Sequence, residues 1–143
     1  MKQSIRFIAI IGIVSLALIG CTDNSKDITK SITTPYDNIP IVVNTLNAYT
    51  FTLNANHFSI DRIDSLSFNT DSLVVTLTLA NYGTGGGKLS IIGIDSTQIF
   101  TELLDKNKVV IQTNLIGTTP AAVSFKLSDF IGNISFVLSK QNP

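Results

Sequence analysis

From residue 41 onward hydrophobic side chains recur at every second position, a spacing that only an extended chain turns into one apolar face. Tyr49, Phe51 and Leu53 alternate with Thr50, Thr52 and Asn54; Leu73, Val75, Leu77 and Leu79 line one side of a longer run whose other side carries Thr76 and Thr78. Val123, Phe125 and Leu127, then Ile134, Phe136 and Leu138, repeat the pattern. A helix would scatter such residues around its circumference, so these segments are strands with one buried side. Ile41 to Asn44, Ser59 to Phe68, Lys88 to Ile94, Gln98 to Leu104 and Lys108 to Asn114 read the same way.

Turn chemistry separates them: Asn69-Thr70-Asp71, Gly83 to Gly87, Asp105-Lys106-Asn107, Gly117 to Pro120 and Ile131-Gly132-Asn133. Helix signals are scarce, and crossover helices for a parallel sheet are absent. The pattern predicts an all-β fold, a single antiparallel β-sandwich of about eight strands over residues 40–141. The stretch from Leu73 through Tyr82 and Gly83 to Ile91 resembles a strand–turn–strand unit of exported immunoglobulin-like sandwiches. That resemblance implies an immunoglobulin-like or related Greek-key topology, although the Cys…Trp…Cys core of true immunoglobulin domains is missing.

Residues 1–20 do not belong to that domain. Lys2 and Arg6 are followed by Phe7 to Gly20, FIAIIGIVSLALIG, which has no charge; this is the layout of a signal peptide. As a helix that segment would reach roughly 21 Å, short of a hydrocarbon core of ~30 Å, which disfavours a permanent span. The next residue is the only Cys, preceded by Leu18-Ile19-Gly20. Leu18-Ile19-Gly20-Cys21 resembles the lipobox of bacterial lipoproteins. The resemblance implies cleavage after Gly20 and a diacylglycerol on the Cys21 sulfur, hence a membrane partner reached through lipid and a place in the cell envelope. Thr22, standing where an Asp would resemble an inner-membrane retention signal, favours the outer membrane. Residues 21–39, with TDNSKDITKSITTPYDNI after the Cys, hold no sustained period and read as a flexible tether.

Charge narrows the partners. Ten basic and ten acidic residues give a formal net charge of +0, so nucleic acid, which needs a dense basic surface, is not expected. Losing residues 1–20 removes Lys2 and Arg6 and leaves about −2, with no pull toward anionic head groups. A lone Cys rules out a disulfide framework and any multi-Cys metal site.

The remaining candidates for chemistry are thin. Gly83-Thr84-Gly85-Gly86-Gly87-Lys88-Leu89 falls one residue short of a phosphate loop, lacks the Ser or Thr after the Lys, and leads into a strand, so it reads as a connection. His57, Ser59 and Asp61 share one side of a strand but stand too far apart for a hydrogen-bonded triad. Asp61, Asp64, Asn69 and Asp71 offer hard oxygen ligands without a calcium-loop spacing. Tyr36, Tyr49 and Tyr82 are the only polar aromatics, and Tyr82, beside the glycine run, is the best ligand-binding candidate. Asp64-Ser65-Leu66, Asp71-Ser72-Leu73 and Asp95-Ser96-Thr97 each resemble the short O-glycosylation motif of Bacteroidetes exported proteins. No catalytic constellation, metal site or cofactor motif emerges. The expected function is a lipid-anchored interaction or structural module with an envelope protein as partner; the alternative is a glycan- or small-ligand-binding module using Tyr82.

Overall fold

The computed structural model describes residues 37–116 and 118–141. The expected signal segment, Cys21, Tyr36 and the tether up to residue 36 lie outside the described residues. The described regular structure is all strand, in seven elements. These are β1 (Ile41–Asn44), β2 (Ala48–Ser65), β3 (Ser72–Ala80), β4 (Gly86–Gly93), β5 (Gln98–Leu103), β6 (Lys108–Ile116) and β7 (Pro120–Lys140). Every pairing between them is antiparallel.

The nine segments read from the sequence form seven strands because two predicted breaks do not interrupt the chain. Tyr49–Asn54 and Ser59–Phe68 fuse into β2, of 18 residues, and the two C-terminal segments fuse into β7, of 21 residues. Ile131-Gly132-Asn133, read as a turn, lies inside β7. What looked like a break is a change of side. β2 buries Tyr49, Phe51, Leu53 and Ala55, then turns Phe58 and Ile60 toward the core; β7 buries Val123, Phe125 and Leu127, then Phe130, Ile134, Phe136 and Leu138. A shift from odd to even positions requires an extra residue in the ladder, and the β2–β7 register slips between Ala55 and Phe58 and again between Phe58 and Ile60.

These irregularities crease the sheet. On one side of the crease the order is β1, the first half of β2, the second half of β7, β3 and β6; on the other, the second half of β2, the first half of β7, β4 and β5. Phe125 and Phe136 are eleven residues apart on β7, about 36 Å along a straight strand. Their ring centroids are 5.7 Å apart, and Phe51, opposite Phe136 in the ladder, stacks on Phe125 at 3.9 Å. β7 therefore doubles back, and the two halves of one sheet face each other as the layers of a sandwich. Tyr49, Phe51, Phe125, Phe130 and Phe136 fill the space between them, each fully buried.

The pairs are nested: β4 with β5, inside β3 with β6, inside β2 with β7, while β7 also joins β3 and β4. This is jelly-roll pairing, a Greek-key scheme. The connection from β3 to β4 through the glycine run carries the chain from one layer to the other. Residues 37–39 of the expected tether begin the packed structure. Asp37 bridges to Asn54, and the Asn38 side chain donates to the Asn56 carbonyl (3.0 Å) and accepts from the Asn56 amide (2.8 Å).

Candidate functional site

The crease gathers several of the residues singled out by sequence, in a different combination. His57 and Asp129 adopt left-handed backbone, φ 52° and 47°, at the points where β2 and β7 change side. His57 Nδ1 lies 2.8 Å from Asp129 Oδ1, and the Asp129 amide donates to Ser59 Oγ at 2.8 Å. Asp61 takes no part: its carboxylate lies 3.2 Å from Lys126 Nζ. His57 and Ser59 thus meet on Asp129, a residue no local motif points to. Ser59 serves as an acceptor for backbone, a structural tie rather than an activated nucleophile.

Tyr82 is the second tie at the crease. Its hydroxyl donates to the Gly85 carbonyl at 2.6 Å, its amide donates to Asn107 Oδ1 at 2.7 Å, and its ring packs on Phe130 with centroids 5.9 Å apart. The glycine run is pinned to β7 by Gly83 N to Ile131 O (2.9 Å) and Ile131 N to Thr84 O (3.0 Å). Gly85, at φ 84°, leaves no room for a Cβ, which would overlap the Asp129 carbonyl. The run is a fitted connection, and Tyr82 spends its hydroxyl donor on holding it.

The acidic residues do not converge. Asp61 and Asp64 stand an odd number of positions apart on β2 and project from opposite sides. Asp64 accepts from Tyr49 Oη (2.5 Å) and Arg62 Nε (2.7 Å). Burial alone would raise the Asp64 carboxyl, but the hydrogen bonds from Arg62 and Tyr49 outweigh it and hold it below the ordinary value. Burial, reinforced by Asp64, pushes the Tyr49 hydroxyl well above its ordinary range. Among the described residues no group of three His, Cys, Asp or Glu side chains is placed to hold a metal.

The Asp-Ser motifs fall in three settings. Ser65 is exposed at the end of β2; Ser72 is half-buried, with its hydroxyl 3.4 Å from Gln141 Oε1. Ser96 is exposed in the β4–β5 turn, where Asp95 accepts from the Thr97 hydroxyl (2.6 Å) and amide (3.0 Å). Those bonds, the hydroxyl's first, hold the Asp95 carboxyl below its ordinary value.

The feature that sequence reasoning missed is a surface. On the outer side of the β1-β2-β7-β3-β6 layer the register aligns Val43, Thr50, Val137, Thr76 and Ile111 in one row. Ile41, Thr52, Ser135, Thr78 and Val109 form the next, and Ala48, Ser139 and Val74 a shorter third. No position in these rows carries a charge, and Ile41, Val43, Val109 and Ile111 are each more than half exposed. The Thr and Val alternation was visible in each strand; the side-by-side alignment of five strands was not.

No family model and no curated protein matches this chain. Among solved structures, one titled "Structure of infectious bursal disease virus Gx strain" is similar over 75% of this chain and 30% of that chain, at 14% identity and a TM-score of 0.33. This chain spans under a third of that one, and a likeness so weak carries nothing about function.

Proposed function

We propose that this protein is a lipid-anchored module of the bacterial cell envelope whose β-sandwich docks an envelope protein through the outer side of the β1-β2-β7-β3-β6 layer. The observation that carries the reading is the absence of charge from three adjacent rows on a solvent-facing sheet. Solvated sheet faces ordinarily alternate apolar inside with charged or strongly polar outside, and large weakly hydrated patches mark contact sites. The thirteen positions, at ~4.8 Å between strands and ~6.8 Å between rows, cover roughly 400 Å², or about 800 Å² counted on both partners, the size of a weak or transient contact. A module already concentrated at a membrane by acyl chains needs no larger contact, because tethering raises the effective concentration of its partner.

The test is site-specific photocrosslinking in intact cells, with the probe at Thr76 in the centre of this face or at Lys88 on the other layer. A discrete protein adduct at Thr76 alone, lost when Thr50→Lys places a charge in the same row, is the expected result. Equal labelling at both positions, or none, overturns the proposal.

A further inference from the structure

Among the described residues the sandwich has four free strand edges: β1 and β6 in one layer, β5 and the second half of β2 in the other. A free edge presents unpaired backbone N–H and C=O groups to any extended chain, so monomeric sheets shorten, charge or distort their edges. Three of the four are treated this way. β1 has only four residues and follows Pro40; β5 is interrupted by a bulge at Ile99; the second half of β2 carries Asp61, Arg62 and Asp64.

β6 differs. It pairs regularly with β3 from Lys108 to Gln112, and a bulge between Gln112 and Leu115 ends the regular edge. Its one charge in that window is Lys108. The Lys108 ammonium is turned into its own molecule, 2.8 Å from Glu102 Oε1, 2.7 Å from the Leu103 carbonyl and 3.1 Å from Asp105 Oδ1. Val109 and Ile111 project outward and are 65% and 67% exposed.

We infer that β6 is a self-pairing edge: two copies of this chain join their β6 strands antiparallel about a two-fold axis at Val110, making one continuous sheet of their β1-β2-β7-β3-β6 layers. The chemistry of an open ladder selects an extended strand as occupant, and the sequence of this edge selects its own copy. With the axis at Val110, residue 109 faces residue 111 of the other copy and residue 108 faces residue 112. Each exposed Val109 then covers an exposed Ile111, each Lys108 meets a neutral Gln112, and no like charges face each other. Any other centre within the window leaves one of the two apolar side chains without its counterpart. The inference shares Val109 and Ile111 with the docking face but names a different occupant, the β6 edge of a second copy, and the pairing sets two such faces side by side.

Directly opposed residues of an antiparallel pair have Cα atoms about 4.5–5.5 Å apart, within disulfide reach. The experiment expresses full-length chains bearing Val109→Cys or Ile111→Cys with distinguishable tags, singly and together, and exposes the membranes to a mild oxidant. Mixed-tag disulfide dimers severalfold above either single variant are expected. A second variant, Ile111→Lys, alters an exposed side chain and should abolish chemically crosslinked dimers of the otherwise unaltered chain while leaving its circular-dichroism spectrum unchanged. Absence of the mixed dimer, equal yields from all three combinations, or capture of a different protein by the Cys positions overturns self-pairing. Loss of self-pairing with the Thr76 adduct retained removes this inference alone; the reverse result removes the docking proposal alone.

Discussion

His57 and Asp129 are seventy-two residues apart in sequence, yet each has left-handed backbone, each stands where its own strand changes side, and their side chains meet at 2.8 Å. The contact joins two bends that must coincide for the sheet to fold in half. Both side chains are about two-thirds exposed, so the pair itself contributes less than about 1 kcal/mol. The backbone requirement is the larger factor. Asp tolerates φ above zero, Gly more so, and a β-branched residue least. Asp129→Gly is expected to cost under about 1 kcal/mol and Asp129→Val about 2 kcal/mol or more. Urea denaturation of the two variants checks this; equal midpoints would mean that the crease does not depend on the left-handed position.

A sharper contrast lies in the glycine run. Gly85 combines φ 84° with a Cβ position overlapping the Asp129 backbone, whereas a Cβ on Gly86 meets nothing within 4 Å. Gly85→Ala is expected to cost about 2–4 kcal/mol because either the turn or β7 must move. Gly86→Ala should stay within about 0.5 kcal/mol of the parent. Thermal unfolding distinguishes them, and a neutral Gly85→Ala would show that the run is loose rather than clamped to the crease.

Tyr49 and Asp64 connect the layers, since Tyr49 lies in the half of β2 beside β1 and Asp64 in the half beyond the crease. The Asp64 carboxyl is held below its unfolded value, so its contribution to stability is fully present above that value, near pH 4, and is lost as pH falls through the folded one. The Tyr49 hydroxyl is held above its unfolded value, so its contribution is present below about pH 10 and declines as pH rises further, by about 1.4 kcal/mol per pH unit. Relative to the parent, Asp64→Asn should therefore lose less stability at pH 3 than at pH 7, and Tyr49→Phe should show a shallower alkaline decline. Denaturant titrations across the two ranges measure both differences, and pH-independent differences would place the hydrogen bond outside the native state.

The parts of the fold that were legible in sequence are those written within one strand. Period-two burial locates β3, and short apolar runs between turn residues locate β4, β5 and β6, to within a few residues. β7 reads as two strands because Ile131-Gly132-Asn133 carries turn chemistry, and β2 because its alternation lapses between Asn54 and Ser59; a bulge uses the same residues as a turn. Nothing local distinguishes a chain that reverses from one that changes side and continues. The candidate site was less legible for the same reason: Thr50, Val137 and Thr76 lie on three strands drawn from distant parts of the chain, and only their register makes one surface. Asp129 is not legible as the partner of His57, because the two lie on different strands, seventy-two residues apart, and only the β2–β7 register brings them together.

The proposal that this surface works at a membrane rests on Cys21, which lies outside the described residues. In the lipobox arrangement the same Cys carries the lipid and becomes the first residue after cleavage, so one substitution removes both events. Cys21→Ser should abolish incorporation of labelled palmitate, leave the chain at its unprocessed length and release no mature form. One acyl chain holds only marginally, whereas two or more hold durably at about 0.8 kcal/mol per buried methylene, so the parent should resist extraction by high salt and yield to detergent. Salt-resistant membrane association that survives loss of palmitate would assign the anchoring to the apolar segment Phe7 to Gly20 instead.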